Sequence, residues 1–165
     1  MLSIRTATAQ DIPLIRELTN KIWPQTYAHI LSEEQIAYML GMMYSPEKLA
    51  EQINELNHQF ILCYDDGQPM AFAGYSEIEK NGYKLHKIYV LPNQQGKGIG
   101  RYIIDYIAND IKAKGASALY LNVNRYNYSA RSFYEKLGFT LYKEEDIDIG
   151  GGYFMNDYVL ELILE

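Results

Sequence analysis

The stretch VLPNQQGKGIGR, residues 90–101, stands between an apolar run that predicts a strand and the segment YIIDYIANDI, which predicts a helix. Its three glycines, Gly96, Gly98 and Gly100, occupy alternate positions at the predicted helix start. The first N–H groups of a helix have no partner within it and carry the positive end of its dipole. Because glycine has no Cβ, a diphosphate is able to approach these groups closely. The stretch therefore predicts a diphosphate-binding loop, with an ordinary glycine-rich turn as the alternative.

Two other phosphate-binding loops match this stretch poorly. The loop of nucleoside triphosphatases requires Ser or Thr directly after Gly-Lys to bind magnesium, but Gly98 follows Lys97 here. The dinucleotide fingerprint requires the spacing G-x-G-x-x-G after the first strand of the fold. Here the glycines alternate and lie in the middle of the chain. Neither class of nucleotide-binding protein is therefore favoured.

The bulk composition restricts the classes of protein to which the chain can belong. Its 165 residues, 48% of them hydrophobic and 22% charged, fit one globular domain over residues 1–165. No apolar run approaches the roughly 20 residues that span a membrane, and the first residues lack the pattern of a signal peptide. The single cysteine, Cys63, excludes an internal disulfide and suits a reducing compartment. We therefore expect a cytoplasmic protein without a membrane partner.

The charge of the chain indicates the kind of partner that it binds. Its formal net charge is −6, whereas binding to nucleic acid requires a basic face. An acidic protein instead attracts cations. A nucleic-acid partner is therefore not expected, and a cationic small molecule is favoured.

The hydrophobic patterns predict a strand, three helices, three strands, a helix, a strand, a helix and two final strands. Asp11 is expected to cap the first helix and Pro24 to end it. Ser32 and the pair Ser45-Pro46 are expected to begin the next two helices, and Gly138 to close the last one. This order predicts one α/β domain in which helices cover a mixed sheet.

A second stretch, NVNRYNYSARSFYEKLGF at residues 122–139, decides how the glycine loop is interpreted. Together the two stretches resemble the GNAT superfamily of N-acetyltransferases. The loop pattern of that superfamily, Gln/Arg-x-x-Gly-x-Gly/Ala, is matched by Gln95, Gly98 and Gly100. Its second pattern, Asn-x-x-Ala-x-x-Phe-Tyr-x-x-x-Gly-Phe, is matched by Asn127, Ala130, Phe133, Tyr134, Gly138 and Phe139. The opening IRTATAQDIPLIREL, residues 4–18, is also similar, so the resemblance covers nearly the whole chain.

The resemblance implies both a fold and an acetyl donor. The expected fold is the GNAT-like acyl-CoA N-acyltransferase fold, an α/β fold with a mostly antiparallel central sheet, a splayed parallel strand pair and helices on both faces. Acetyl-CoA is implied as the donor, without a metal, and its pantetheine arm is expected between the strands KIYVL and ALYLNV. The residues implied in binding it are Ile88, Tyr89, Val90, Gln95, Gly96, Lys97, Gly98, Ile99, Gly100, Arg101, Asn127 and Tyr134.

Tyr134 is the expected catalytic acid, since it matches the tyrosine of the superfamily's Phe-Tyr pair. The leaving thiolate has a pKa near about 8.5, so a phenol with a pKa of about 10 is able to donate a proton or a hydrogen bond to it. The alternative is that Tyr134 only packs on its helix face, as Phe133 does.

The general base is left open by the sequence. An alkylamine with a pKa of about 10.4 is neutral in only about one molecule per thousand at pH 7, which costs about 4 kcal/mol before attack. Some members of the superfamily carry a glutamate where this chain has Lys84 or His86, and others where it has Asn122. The candidates are therefore His86, which titrates in a useful range, and Glu77, acting through a water. A hydrogen-bonded strand histidine and a solvated strand glutamate are the alternatives.

The same resemblance places the acceptor site in the first helices and the late strands. Trp23, Tyr27 and His29 are the candidate lining residues, with core packing as the alternative for Trp23. The patterns W-x-x-T-Y and F-M-N-D-Y look like the branch that contains bacterial polyamine acetyltransferases. Acidic residues near the C-terminus are expected either to attract a polycation or to form a solvated turn. These residues are Glu144, Glu145, Asp146, Asp148 and Asp157.

The leading hypothesis is therefore transfer of the acetyl group from acetyl-CoA to a primary amine of a small cationic acceptor. One alternative acceptor is the N-terminus of a protein or peptide, and another is an amino sugar of the aminoglycoside type. A non-catalytic module that binds acetyl-CoA for regulation is a third alternative, because the expected glutamates are missing. A homodimer formed through the C-terminal strands is an expectation from the superfamily alone.

Overall fold

Seven strands form one sheet in the computed structural model, which describes residues 1–165. The strands are β1 (Leu2–Thr6), β2 (Gln59–Asp65), β3 (Gln68–Glu79), β4 (Gly82–Val90), β5 (Ala118–Asn124), β6 (Thr140–Gly150) and β7 (Tyr153–Ile163). The helices are α1 (Ile12–Tyr27), α2 (Glu33–Tyr44), α3 (Pro46–Asn54), α4 (Ile99–Ala113) and α5 (Tyr128–Lys136). The strand order is β1-β2-β3-β4-β5-β7-β6. The predicted order of elements is confirmed.

The sheet is mixed because β4 and β5 run parallel. The pairs β1–β2, β2–β3, β5–β7 and β6–β7 are antiparallel. The parallel ladder contains four residue pairs, from Gly82↔Ala118 to Leu85↔Leu121. Both strands continue beyond it, to Val90 in β4 and to Asn124 in β5. The predicted splayed pair is therefore a ladder that ends halfway along β4.

The chain contains two compact units. The first unit comprises residues Met1–Ser76 and Lys87–Ile104, and the second comprises Glu77–His86 and Asp105–Glu165. Apolar side chains of α1, α3, β2 and β3 are buried in the first unit, and those of β5, β7 and the end of α4 are buried in the second. That both units act as one domain over residues 1–165 stays a prediction.

The helix starts follow the predicted chemistry with one correction. The hydroxyls of Ser32 and Ser45 accept hydrogen bonds from the N–H groups of Gln35 and Lys48, at 3.1 and 3.2 Å, which confirms both caps. Asp11 precedes α1 but its side chain does not cap that helix. Its carboxylate instead accepts a hydrogen bond from the N–H of residue 8, because a short 3-10 turn over residues 9–11 precedes α1.

The prediction that Pro24 ends the first helix is wrong. Helix α1 continues through Pro24 to Tyr27. Proline removes one intrahelical hydrogen bond and costs about 3 kcal/mol inside a helix. The turn that follows is held by packing against β4, because the rings of Trp23 and Tyr27 lie 5.8 and 6.5 Å from the ring of Tyr89. Tertiary contacts therefore override the local rule.

Helix α4 carries the expected apolar stripe. Ile103, Ile104, Ile107 and Ile111 are buried, which confirms the spacing of three and four residues. None of the five helices combines the length and the apolarity that are needed to cross a lipid bilayer.

Candidate active site

The glycine-rich loop before α4 lies in the first unit. Gly96 and Gly98 have φ angles of +83° and +79°, a left-handed conformation that glycine adopts without strain. A Cβ built on either residue meets no protein atom within 4 Å. The N–H of Tyr102 donates to the carbonyl of Gly98 at 3.0 Å, and the amides before Tyr102 have no acceptor within α4. The space beside Gly96 and Gly98 is therefore open, which fits the close approach of a diphosphate group.

The side chains of the loop have different roles. Ile99 is buried and anchors the first turn of α4, so only its backbone is available to a ligand. Lys97 and Arg101 are exposed at the same end of the helix. The Nζ atom of Lys97 donates to Oε1 of Gln94 at 3.0 Å. Two cations therefore stand next to the backbone donors of Gly98 and Gly100.

The last residues of β4, Ile88, Tyr89 and Val90, are half-buried in the first unit. The side-chain amide of Gln95 donates from Nε2 to the carbonyl of Val90 at 3.3 Å. The loop is therefore fastened to the end of the strand by one of its own residues. The hydroxyl of Tyr89 forms a hydrogen bond of 3.0 Å with the hydroxyl of Tyr27.

An aromatic cluster joins α1, α2 and β4 in the first unit. The ring of Trp23 lies 4.6 Å from Tyr27, 5.6 Å from Tyr44 and 5.8 Å from Tyr89. Trp23 and Tyr44 are buried, and burial raises the pKa of the Tyr44 phenol well above its ordinary value. Tyr27 is half-buried and His29 is exposed, so these two remain accessible to an acceptor. The position of Trp23 favours a packing role.

Asn127 lies at the start of α5 in the second unit. Its Oδ1 atom accepts hydrogen bonds from the N–H of Ala130 and the hydroxyl of Ser129, both at 3.3 Å. Asn127 is thus the N-cap of α5. Capping occupies its carboxamide oxygen and leaves its NH₂ group as the part that is able to donate to a ligand.

Tyr134 lies on α5 and is 9% exposed. Its ring packs edge-on against Phe133 and Phe139, with centroid distances of 5.3 and 5.6 Å. These contacts fix the ring, so that its direction is set by the helix and by Phe139, which directly precedes β6. A fixed phenol is what a proton donor requires.

The two candidate bases lie in the second unit at different places. His86 directly follows Leu85, the last residue of β4 in the parallel ladder, and is half-buried. Asn122 occupies the equivalent position on β5, directly after Leu121. Glu77 lies near the end of β3 and is exposed. His86 and Asn122 therefore stand where the two parallel strands cease to pair.

The acidic residues of β6 and β7 separate into two groups. Glu144, Asp146 and Asp148 are exposed, and Asp146 forms an ion pair with Arg125 at 2.6 Å. Asp157 is only 3% exposed. Solvation therefore accounts for the exposed residues but not for Asp157.

Comparison with known proteins identifies the family. The model of the acetyltransferase (GNAT) family matches residues 14–139, well over half of the chain. The chain belongs to the acetyltransferase (GNAT) family. As a GNAT member it is an acetyl-CoA-dependent N-acetyltransferase.

Three GNAT proteins illustrate the likeness. A spermidine N(1)-acetyltransferase of Thermoplasma acidophilum is 32% identical over 151 residues, which cover 89% of this chain and 91% of that protein. The crystal structure of the PaiA N-acetyltransferase of Thermoplasma acidophilum in complex with coenzyme A superposes with a TM-score of 0.83 at 29% identity, over 99% of both chains. A [ribosomal protein bS18]-alanine N-acetyltransferase of Haemophilus influenzae is 37% identical over 121 residues, 73% of this chain and 76% of that protein.

The sequence gives one signal that singles out Asp157. Along β7, residues 155, 157 and 159 lie on the same side of the strand. Met155 and Val159 are apolar, so the alternation predicts an inward apolar side chain at the position of Asp157. A carboxylate at such a position marks a GNAT residue that folding alone does not explain.

Proposed function

We propose that this GNAT enzyme transfers the acetyl group of acetyl-CoA to a primary amino group of a small polycationic acceptor of the polyamine class. The observation that carries the proposal is the likeness, over about nine-tenths of both chains, to a spermidine N(1)-acetyltransferase. The formal net charge of −6 supports it, since an acidic protein attracts a polycation.

The proposed donor site uses the residues of the glycine-rich loop. The backbone amides of the loop from Gln95 to Arg101 bind the diphosphate of acetyl-CoA, and the charges of Lys97 and Arg101 strengthen this binding. The backbone of Ile88, Tyr89 and Val90 is proposed to bind the pantetheine arm. The NH₂ group of Asn127 is proposed to donate a hydrogen bond to acetyl-CoA. Acetyl-CoA itself supplies a reactive thioester and a thiolate leaving group.

Tyr134 is proposed as the catalytic acid. Its phenol donates a proton to the sulfur that leaves, and a phenol pKa of about 10 stands close enough to the thiol pKa of about 8.5 for this transfer. Packing against Phe133 and Phe139 supports the role, because the hydroxyl keeps one direction without further ordering. General acid catalysis of this kind contributes about 10²- to 10⁴-fold in rate.

The acceptor is proposed to contact the accessible residues at the end of α1. Tyr27 offers a hydroxyl that is already hydrogen-bonded to Tyr89, and His29 is exposed two residues later. Both side chains offer lone pairs to an ammonium group when they are neutral. Trp23 supports Tyr27 from behind through ring packing.

A second candidate function is acetylation of an N-terminal alanine of a protein. The 37% identity to the [ribosomal protein bS18]-alanine N-acetyltransferase favours it. That likeness covers less of the chain than the polyamine relative does. The two functions differ in the charge of the acceptor, which an experiment can vary directly.

The test is an assay of coenzyme A thiol release with a panel of amines at pH 7.5. The panel contains spermidine, n-butylamine as a primary amine without a second charge, and a short peptide that begins with alanine. We expect kcat/KM for spermidine to exceed that for n-butylamine at least about tenfold, because a tenfold ratio requires only about 1.4 kcal/mol. Added salt should narrow this ratio. A higher kcat/KM for the alanine peptide would replace the polyamine proposal with the second candidate.

A further inference from the structure

Asp157 on β7 is a buried carboxylate that has little compensation from the protein. It is 3% exposed, and its side chain accepts one hydrogen bond, from Nδ2 of Asn122 to Oδ2 at 3.1 Å. No basic side chain forms an ion pair with it. A buried carboxylate is unfavourable unless a cation and several donors balance it. Such a residue is a candidate for a functional position.

The charged groups around Asp157 are already engaged or stand further away. Burial raises its pKa most, and Glu145 on β6 raises it further. Asn122, Lys84 and Arg125 act in the opposite direction. The guanidinium of Arg125 nevertheless pairs with Asp146 at 2.6 Å, and its Nε donates to the backbone carbonyl of residue 157 rather than to the carboxylate. No protein cation is therefore in an ion pair with Asp157.

The strand register puts this carboxylate at the end of the parallel ladder. Strand β7 pairs Asp157 with Asn124 and residue 159 with Asn122, so these side chains lie on one face of the sheet. Asn122 is the first residue of β5 after the ladder, and His86 is the first residue of β4 after it. The three groups thus belong to the point within the second unit where the parallel strands separate.

We propose that Asp157 binds the ammonium group of the acceptor and accepts one of its protons, with Asn122 as the positioning residue. This inference rests on the proposed function and names the general base of that reaction. The ammonium group supplies the ion-pair partner that no protein cation provides, and its approach offers Asp157 the donors that it lacks.

The step balances as follows in protons and electron pairs. Asp157 takes one proton from the ammonium group, which leaves a neutral amine with a free electron pair. That pair forms the C–N bond to the acetyl carbon while the C–S bond breaks and its electrons stay on sulfur. Sulfur takes a proton from Tyr134, and the acetylated nitrogen returns one of its two remaining protons to Tyr134. The proton on Asp157 passes to solvent, so one proton is released in each turnover.

The main test is Asp157→Asn, which keeps the shape and the acceptor for Asn122 but removes the charge. With spermidine at pH 7, kcat/KM is expected to fall by about 10²-fold, within the range of general base catalysis. The variant then depends on amine that is already neutral. The ratio of wild-type kcat/KM to that of Asp157→Asn should therefore shrink by up to about tenfold for each pH unit between pH 7 and the pKa of the amine. A structural role for Asp157 would not produce this dependence on pH.

Measurements on three variants separate the causes. Asp157→Asn should bind coenzyme A with a Kd within about twofold of wild type in calorimetry, and it should not melt at a lower temperature at pH 7. Asn122→Ala should shift the acid limb of the pH profile of kcat/KM to higher pH, because the hydrogen bond from Asn122 lowers the pKa of Asp157. Asp110→Asn, on α4 and paired with Lys114, is the matched control and should behave as wild type.

The outcomes are distinct. The inference is overturned if kcat/KM of Asp157→Asn is unchanged, or if its loss of kcat/KM is constant with pH. A pH-dependent loss of kcat/KM in His86→Gln or Glu77→Gln instead assigns the base to that residue. If wild-type protein binds coenzyme A but releases thiol with no polyamine, the proposed function has failed, and the inference fails with it. A pH-dependent deficit confined to Asp157→Asn supports both.

Discussion

Replacing Gly98 by alanine tests the diphosphate-binding loop more sharply than any change of a charged side chain. The residue has a φ of +79°, where alanine is strained by roughly 1–2 kcal/mol. No protein atom lies within 4 Å of the added Cβ, so the variant creates no clash of its own. The expected loss of stability is therefore about 1 kcal/mol, or about 2–4 °C in Tm for a chain of this size.

The effect on ligand binding has a different origin and a larger size. A methyl group in the open space beside the loop holds the diphosphate away from the backbone donors. A hydrogen bond to a charged group contributes about 1.5–3 kcal/mol, so losing one weakens the Kd for coenzyme A by about 10- to 100-fold. Calorimetry measures this Kd, and thermal unfolding without ligand measures the backbone strain separately.

Gly67, in the turn between β2 and β3, provides a matched control. Its φ is +81°, and a Cβ built on it also meets no protein atom within 4 Å. Gly67→Ala should therefore lose the same stability as Gly98→Ala while its Kd for coenzyme A stays at the wild-type value. If both variants lose stability equally and both bind coenzyme A like wild type, the loop does not bind the diphosphate.

Two further predictions concern single side chains. Tyr134→Phe keeps the ring contacts and removes the hydroxyl. Turnover with spermidine should therefore fall by at least about tenfold, while the Kd for coenzyme A changes less than twofold. Equal turnover would reject the acid role. Asp11→Asn removes the carboxylate that binds Arg5 and the N–H of Thr8. Arg5 lowers the pKa of Asp11, so this stabilisation is present above the unfolded pKa of about 3.9 and is lost as the pH falls through the folded value. In urea unfolding at pH 7, the free energy of unfolding of Asp11→Asn should be about 1 kcal/mol below that of wild type, and this difference should shrink below about pH 4. A difference that is independent of pH would contradict this origin.

Local patterns in the sequence predicted most of the elements, because a strand or a helix buries one face and repeats with its own period. The caps at Ser32 and Ser45 were predicted for the same reason, since a hydroxyl and the N–H three residues later are fixed by local geometry. The rule that failed concerns Pro24. Its cost is local, but the packing of Trp23 and Tyr27 against Tyr89 that offsets it comes from the tertiary structure.

The site could be predicted only where it depends on a continuous segment. The glycine loop is such a segment, and its positive φ angles agree with the residue type. The surroundings of Asp157 depend on residues far away in the sequence, since its hydrogen-bond partner Asn122 lies 35 positions earlier. The exposed Asp146, only 11 positions from Asp157, has the same side chain. Composition cannot separate these two carboxylates, whereas the apolar alternation along β7 and the cross-strand pairing do.

Pro24 divides α1 into two parts with different tendencies to open. The proline has no N–H, so the helix lacks one backbone hydrogen bond between the turn that contains Asn20 and the turn that ends at Tyr27. Hydrogen exchange of the last turn should therefore be faster than that of the preceding turns, in which Ile15, Leu18 and Ile22 are buried. The residues proposed to meet the acceptor thus lie on a segment that is able to adjust its fit while the anchored part of the same helix keeps the core closed.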